Sequence, residues 1–324
     1  MLEASDIRKR FESYLQGLDY SHDPRTLYAP VRYVLSLGGK RIRPTLLAMA
    51  YNMYADTVEN VFPTAAGMEI FHNFTLLHDD LMDRADVRRG QPTVHVKWNE
   101  NTAVLSGDVM LVMAYQFISR SDPSKLSRIL DIANRTYMEI MDGQQYDMDF
   151  ENRNDVSERE YLEMIRLKTS VLLAACVEMG AVLGGASEQD AQLLYRFGEK
   201  LGLAFQLQDD LLDVYGDPKV FGKKIGGDIL CNKKTYLYIN ARLLSDPGQL
   251  AQLDRWAAYD GDDAQSKISA VRAVYDAVGV RALSEKLIGS LLGESLECLD
   301  RVSVDESRKR IIRQYAESLM GRVL

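Results

Sequence analysis

The sequence predicts an all-α protein of ten or more helices around one core, and three observations predict it. Apolar residues recur at i, i+3, i+4 and i+7 through long segments such as 161–183 and 189–215, which are rich in Leu, Ala, Met, Glu and Gln. No proline falls between Pro123 and Pro218, so several long helices can follow one another without a breaker. Strand-like alternation is brief, as in 93–97, and no Asn-Gly or Asp-Gly turn sits between alternating runs. A length of 324 residues suggests two domains on a prior of about 100–200 residues each. The prolines and glycines nevertheless gather into no linker-like stretch, so a single domain over 1–324 is expected.

The breaks order the elements along the chain. Gly38-Gly39 is expected to end one helix just before Lys40-Arg41-Ile42-Arg43-Pro44. Arg89-Gly90-Gln91-Pro92 ends another, just after an acidic cluster. The long proline-free helices follow. Residues 216–234 combine glycines with lysine pairs and read as a mobile basic loop. Residues 245–266 are polar and read as a surface connection, with generic helical sequence after it.

Charge and cysteine usage exclude several classes. The net charge is −8, whereas a nucleic-acid binder needs a basic field to displace counterions from phosphates. Cys176, Cys231 and Cys298 are far apart and in no CxxC spacing, so reduced, buried thiols in a cytoplasmic protein are expected. The N-terminus has neither the basic start nor the apolar run of a signal peptide. The most apolar stretch, 171–186, is interrupted by Glu178, so no stable membrane insertion is expected.

One acidic motif occurs twice. Leu77-His78-Asp79-Asp80-Leu81-Met82-Asp83 and Leu207-Gln208-Asp209-Asp210-Leu211-Leu212-Asp213 both carry DDxxD within apolar helical sequence. Residues i and i+4 of a helix lie about 40° apart around its axis, so Asp79 stacks on Asp83, and Asp209 on Asp213. Like charges so placed destabilise a helix, and carboxylates beside apolar surface are costly without compensation. A single copy is equally well a solvated helix face. Two copies in apolar settings favour a hard cation such as Mg²⁺, typically held by one or two carboxylates together with substrate phosphates.

Phosphate calls for cations, and the sequence supplies four groups of them. They are Lys40, Arg41 and Arg43 after the glycine pair, Arg88-Arg89 beyond the first acid motif, Lys168-Thr169 inside an apolar helix, and the pairs Lys223-Lys224 and Lys233-Lys234. Each alone is more commonly a solvated charge, and the set carries the weight. No GxxxxGK[ST] occurs, so a P-loop nucleotide site is not indicated.

The order GGKRIRP, His72 with a DDxxD seven residues on, RRG, GQxxD, KT, FQxxDDxxD, GK and a late lysine resembles the trans-isoprenyl diphosphate synthase (polyprenyl synthetase) family. The resemblance spans roughly residues 35–240. It implies an isoprenoid synthase-type helical bundle around a deep central cavity, usually a homodimer. The implied reaction joins isopentenyl diphosphate head-to-tail to dimethylallyl, geranyl or farnesyl diphosphate. By similarity, Asp79, Asp80, Asp83, Asp209, Asp210 and Asp213 hold three Mg²⁺ that grip the allylic diphosphate. Arg88, Lys168, Lys223 and Lys233 match positions that add charge to this leaving group. Lys40, Arg43, His72 and Arg89 match those that bind isopentenyl diphosphate, and Thr169 and Gln206 those beside the allylic cation. Gln144 and Asp147 match a motif at the cavity wall. His72 alone would read as a core histidine, and His78 is expected only to orient a carboxylate.

In such enzymes residues just before the first aspartate limit the growing chain. Phe74 and Thr75 are the fifth and fourth residues before Asp79. Five residues are about 7.5 Å of helix, so the Phe74 ring would form a floor after a few isoprene units, favouring a C15–C20 product with geranylgeranyl ahead of farnesyl. The plain alternative is a core phenylalanine. The rivals are a long-chain polyprenyl diphosphate synthase and an HD-type metal phosphohydrolase suggested by His78-Asp79. The latter needs further histidine ligands from a chain with four histidines, and it leaves the second DDxxD unexplained.

Overall fold

The computed structural model describes residues 1–217 and 225–321. Among the described residues the chain is mostly helical, with a single short hairpin of strands. In order it forms α1 (Ala4–Gln16), α2 (Arg25–Ser36), α3 (Ile42–Asn52), a 3₁₀ turn (Val58–Val61), α4 (Phe62–Met82), a hairpin of β1 (Val87–Arg88) and β2 (Gln91–Pro92), α5 (Val94–Lys97), α6 (Glu100–Ile118), α7 (Leu126–Glu151) and α8 (Glu158–Ile165). A wide π turn (Arg166–Ser170) leads from α8 into α9 (Val171–Gly184). Then come α10 (Glu188–Tyr215), α11 (Gly227–Leu230), α12 (Tyr236–Leu244), α13 (Pro247–Ala257), α14 (Ala264–Val278), α15 (Val280–Asp300) and α16 (Glu306–Met320).

These elements gather into two compact units. Unit 1 comprises Met1–Asn134, Ala175–Tyr195 and Arg301–Arg313; unit 2 comprises Arg135–Ala174, Arg196–Asp300 and Gln314–Leu324. Several boundaries fall inside helices α7, α9 and α10 rather than in loops.

In unit 1, α4 lies along α6 and also meets α2 and α3. Its apolar periodicity is nearly continuous because it is covered on most sides, with Ala65, Ala66, Met68, Ile70 and Phe71 fully buried. Phe11 of α1 meets Phe62 edge-on at 5.7 Å. In unit 2 the core gathers Phe150, Tyr161, Ile165, Leu207, Leu211, Val214, Leu237, Val271 and Tyr275. α8 begins on a reciprocal cap in which Ser157 and Glu160 satisfy each other's backbone N–H groups.

The brief alternation at 93–97 makes no strand, in keeping with the all-helical reading: Val94–Lys97 form the short helix α5 with Thr93 at its N-terminus. Several local expectations are corrected. Arg89 and Gly90 do not stop a helix, which already ends at Met82; with φ of 53° and 73° they make the left-handed turn between β1 and β2. Residues 245–266 contain α13, started by an Asp246/Gln249 capping box with Pro247 behind it, so polar composition hid an ordinary helix start. The segment 216–234 holds α11, while its residues 218–224 lie outside the described ones. Of the thiols only Cys176 is buried, and Cys231 is exposed. The α8, π turn and α9 run (Glu158–Gly184) is one helix long and apolar enough to cross a membrane, but 78% of its apolar window is buried inside the protein.

Candidate functional site

In unit 1 the chemistry gathers at the C-terminal end of α4. Asp83 caps the helix, its N–H bonding to the Asp79 carbonyl at 2.8 Å, so the i, i+4 relation of the two aspartates holds to the last turn. The motif splits by burial. Asp80 is 6% exposed, and both its oxygens accept from Arg88 Nε of β1 at 2.8 Å, with Arg88 Nη2 at 2.7 Å. Burial raises its pKa, and the Arg88 charge opposes that rise. Asp79 is half-buried and Asp83 exposed.

The cations after the glycine pair divide in the same way. Arg41 is turned inward onto Glu12 and Glu69, while Lys40 is exposed and Arg43 half-buried in the first turn of α3. Arg43 Nη1 donates to His72 Nε2 at 3.1 Å, so the imidazole proton sits on Nδ1. The His72 pKa is held well below its ordinary value, first by burial and then by Arg43, Arg89, Arg88 and Arg41. His72 is therefore neutral within a ring of cations. Arg89 donates to the Gly38 carbonyl, and its guanidinium packs so close to Gly39 that a Cβ there would lie 3.1 Å from Nη2. The glycine pair and RRG are thus one structure. Thr75 donates to the His72 carbonyl at 2.8 Å, and Phe74 is 4% exposed. His78 does not orient a carboxylate: its ring lies on Gly107 of α6, and Nε2–H donates to the Val104 carbonyl at 3.1 Å.

In unit 2, Lys168 and Thr169 ride on the π turn. Lys168 Nζ donates to Asp147 Oδ2 at 2.6 Å, joining KT to GQxxD. Gly143 makes that junction possible, since a Cβ there would overlap the Lys168 backbone nitrogen. Gln144 sits half-buried one residue on. Thr169 Oγ1 donates to Gln206 Oε1 at 3.1 Å, and Gln206 Nε2 donates to Asp210 Oδ1 at 2.9 Å. The buried Tyr161 hydroxyl donates to the other Asp210 oxygen. Burial pushes Asp210 up to about 6, against those two hydrogen bonds. The Tyr161 phenol is raised well above its usual value, first by burial and then by Asp210, and stays a donor. Asp213 accepts from Asp228 N at 3.0 Å, and Lys233, an exposed lysine, donates its backbone N–H to the Asp228 carbonyl at 2.9 Å. Lys223 lies outside the described residues.

Sequence reasoning missed Tyr161, Asp228 and Glu69. Tyr161 carries no motif of its own. Asp228, after Gly226-Gly227, could have been flagged as an acidic residue in a basic segment.

Both acid motifs therefore have the same construction. The middle carboxylate is buried and held by protein donors, and the outer pair is less buried. Among the described residues no three His, Cys, Asp or Glu converge on one ion. The donors are carboxylate oxygens only, which suits a hard dication that keeps water and completes its shell with phosphate oxygens. Mg²⁺ fits this donor set.

Residues 24–277 match the family model described as polyprenyl synthetase. A geranylgeranyl diphosphate synthase of Methanosarcina mazei is 45% identical over 220 residues, 67% of this chain and 68% of that one. A geranylfarnesyl diphosphate synthase of Natronomonas pharaonis is 34% identical over 317 residues, 92% and 91% of the two chains. Among solved structures, a geranylgeranyl pyrophosphate synthase superposes with a TM-score of 0.95 at 41% identity over 100% of both chains. The synthetase of Pyrococcus horikoshii gives 0.91 at 28% identity over 99% of this chain and 97% of that one.

Proposed function

The chain belongs to the polyprenyl synthetase family, and from that premise we propose that it condenses isopentenyl diphosphate head-to-tail with an allylic diphosphate to give a C20 prenyl diphosphate. It is a trans-prenyltransferase. The observation that carries our assignment of the site is the repeated division of DDxxD into one protein-held carboxylate and a less buried outer pair. Asp79, Asp83, Asp209 and Asp213 would hold Mg²⁺, three ions per site, with Asp80 and Asp210 completing the two motifs. Bound Mg²⁺ supplies charge neutralisation for the departing pyrophosphate.

The chain's own residues do the rest. Arg88, Lys168, Lys223 and Lys233 add positive charge for the allylic diphosphate. Lys40, Arg43, Arg89 and the neutral His72 bind the diphosphate of isopentenyl diphosphate, where a neutral imidazole with its proton on Nδ1 can donate to a phosphate oxygen. As the allylic C–O bond breaks, the cation is met by oxygen dipoles. Gln206 is oriented for this, since its amide nitrogen is fixed on Asp210 and its Oε1 must point toward Thr169. The isopentenyl double bond then forms the new C–C bond, and pyrophosphate takes the proton lost, so no side-chain base is required.

The buried Phe74 supports a short product, as the floor of the tail pocket. We read 1–324 as one functional domain, which the long family match and the unit boundaries inside helices support. α6 exposes Leu105 and Val112 at 56% and 59%, an apolar face that suits a second copy of the chain. A cytoplasmic homodimer is the assembly we propose.

The test is incubation of purified protein with Mg²⁺, labelled isopentenyl diphosphate and each C5, C10 and C15 allylic diphosphate, with the product sized and the enzyme's mass measured by light scattering. A C20 product from a dimer is expected, and Asp79→Ala or Asp209→Ala should lower turnover by roughly 10²-fold or more. No incorporation with any primer would refute the reaction, near-normal turnover in either variant the metal assignment, and a monomer the dimer.

A further inference from the structure

Phe74 does not stand alone. Its ring lies between Phe71, at 5.5 Å between centroids, and His78, at 4.8 Å and edge-on. The three residues follow one another at i, i+3 and i+7 and so form one row on α4. The two ends of the row are held differently. Phe71 is fully buried and fixed by packing on all sides. His78 is fixed by two specific features of α6. Gly107 leaves room for the ring, since any Cβ there would overlap the imidazole, and the Val104 carbonyl accepts from Nε2–H at 3.1 Å.

A floor must resist the tail that presses on it. Aromatic side chains sit in discrete rotamer wells, and a ring escapes one only if neighbouring space is open. With Phe71 locked on one side, the imidazole occupies the space on the other. His78 is half-buried and is not engaged with Asp79 or Asp80, so the metal motif does not account for its placement. From this geometry we infer that His78 is a positioning residue for product length: seated on Gly107 and tied to Val104, it buttresses Phe74 against the growing chain. The inference rests on the reading of Phe74 as the floor.

Four proteins separate the two readings: wild type, Phe74→Ala, His78→Ala and the double variant, each given isopentenyl diphosphate and a C15 primer, with products resolved by chromatography. The readout is the ratio of the product one isoprene unit longer to the parent product. A general loss of turnover from the neighbouring Asp79 does not move this ratio. Phe74→Ala is expected to raise it. His78→Ala is expected to raise it by roughly 2- to 10-fold, the range an aromatic pair contact is worth. In the Phe74→Ala background it should add nothing, because its effect passes through that ring. If Phe74→Ala lengthens the product and His78→Ala does not, or if His78→Ala adds its own increment to the double variant, the buttress is overturned and the floor stands. If Phe74→Ala leaves the ratio unchanged, both fall. Should His78→Ala not fold, His78→Gln keeps a donor for Val104, lacks the ring and is read the same way.

Discussion

Arg41 is 3% exposed, and its guanidinium reaches Glu12 at 2.9 Å, Glu69 at 2.7 Å and the Leu35 carbonyl at 2.9 Å. Removing it would strand Glu69, itself 2% exposed, as a buried charge. We predict that Arg41→Met lowers stability by about 3–5 kcal/mol in urea titration, as breaking one side of a buried pair does. A change within about 0.5 kcal/mol would show that Glu69 is satisfied without it. In the sequence Lys40, Arg41 and Arg43 are three equivalent cations beside a glycine pair. Nothing local says which one turns inward, because the deciding partners lie far away in α1 and α4. The sequence misassigns His78 for the same reason. Its neighbours on the chain are aspartates, and its real partners are Gly107 and Val104 on another helix. The acid motifs were legible because their spacing is itself a helical geometry. The division of each into a held and a less buried part was not, since it depends on Arg88, Tyr161 and Gln206.

Among the helices, the junction of α7 with the π turn shows how an element places a side chain. The π turn carries Lys168 and Thr169, and Gly143 lets the two backbones approach until Lys168 reaches Asp147 at 2.6 Å. Gly143→Ala must push backbone from backbone, so we predict turnover lower by roughly 10- to 100-fold with a folded circular dichroism spectrum. Wild-type turnover would show that the close approach does not position the lysine. The sequence predicted long helices across 124–217 correctly, because absence of proline and a 3.6-residue period act over many residues. It misread 245–266, where a polar composition fits more than one local structure. A capping box at Asp246 and Gln249 was the available signal for α13. No pattern announces a π turn inside an otherwise regular apolar helix.

For the molecule as a whole, the acidic balance argues against a nucleic-acid binder, and six of the aspartates behind it lie in the two motifs. Since no three of the described acidic groups meet at one point, metal affinity should depend on a bridging ligand. We predict that Mg²⁺ alone and pyrophosphate alone shift the melting temperature little. Together they should stabilise by about 2.7 kcal/mol at a hundredfold excess over Kd. An equal shift with Mg²⁺ alone would mean a closed protein site. The sequence leads to the expectation of one core with no clear domain boundary, and each compact unit draws on three separated stretches of chain. That discontinuity bears on heredity as much as on shape. Neither unit corresponds to a contiguous piece of a gene, so neither can be duplicated, fused or exchanged by itself. Either unit is therefore inherited only together with the other.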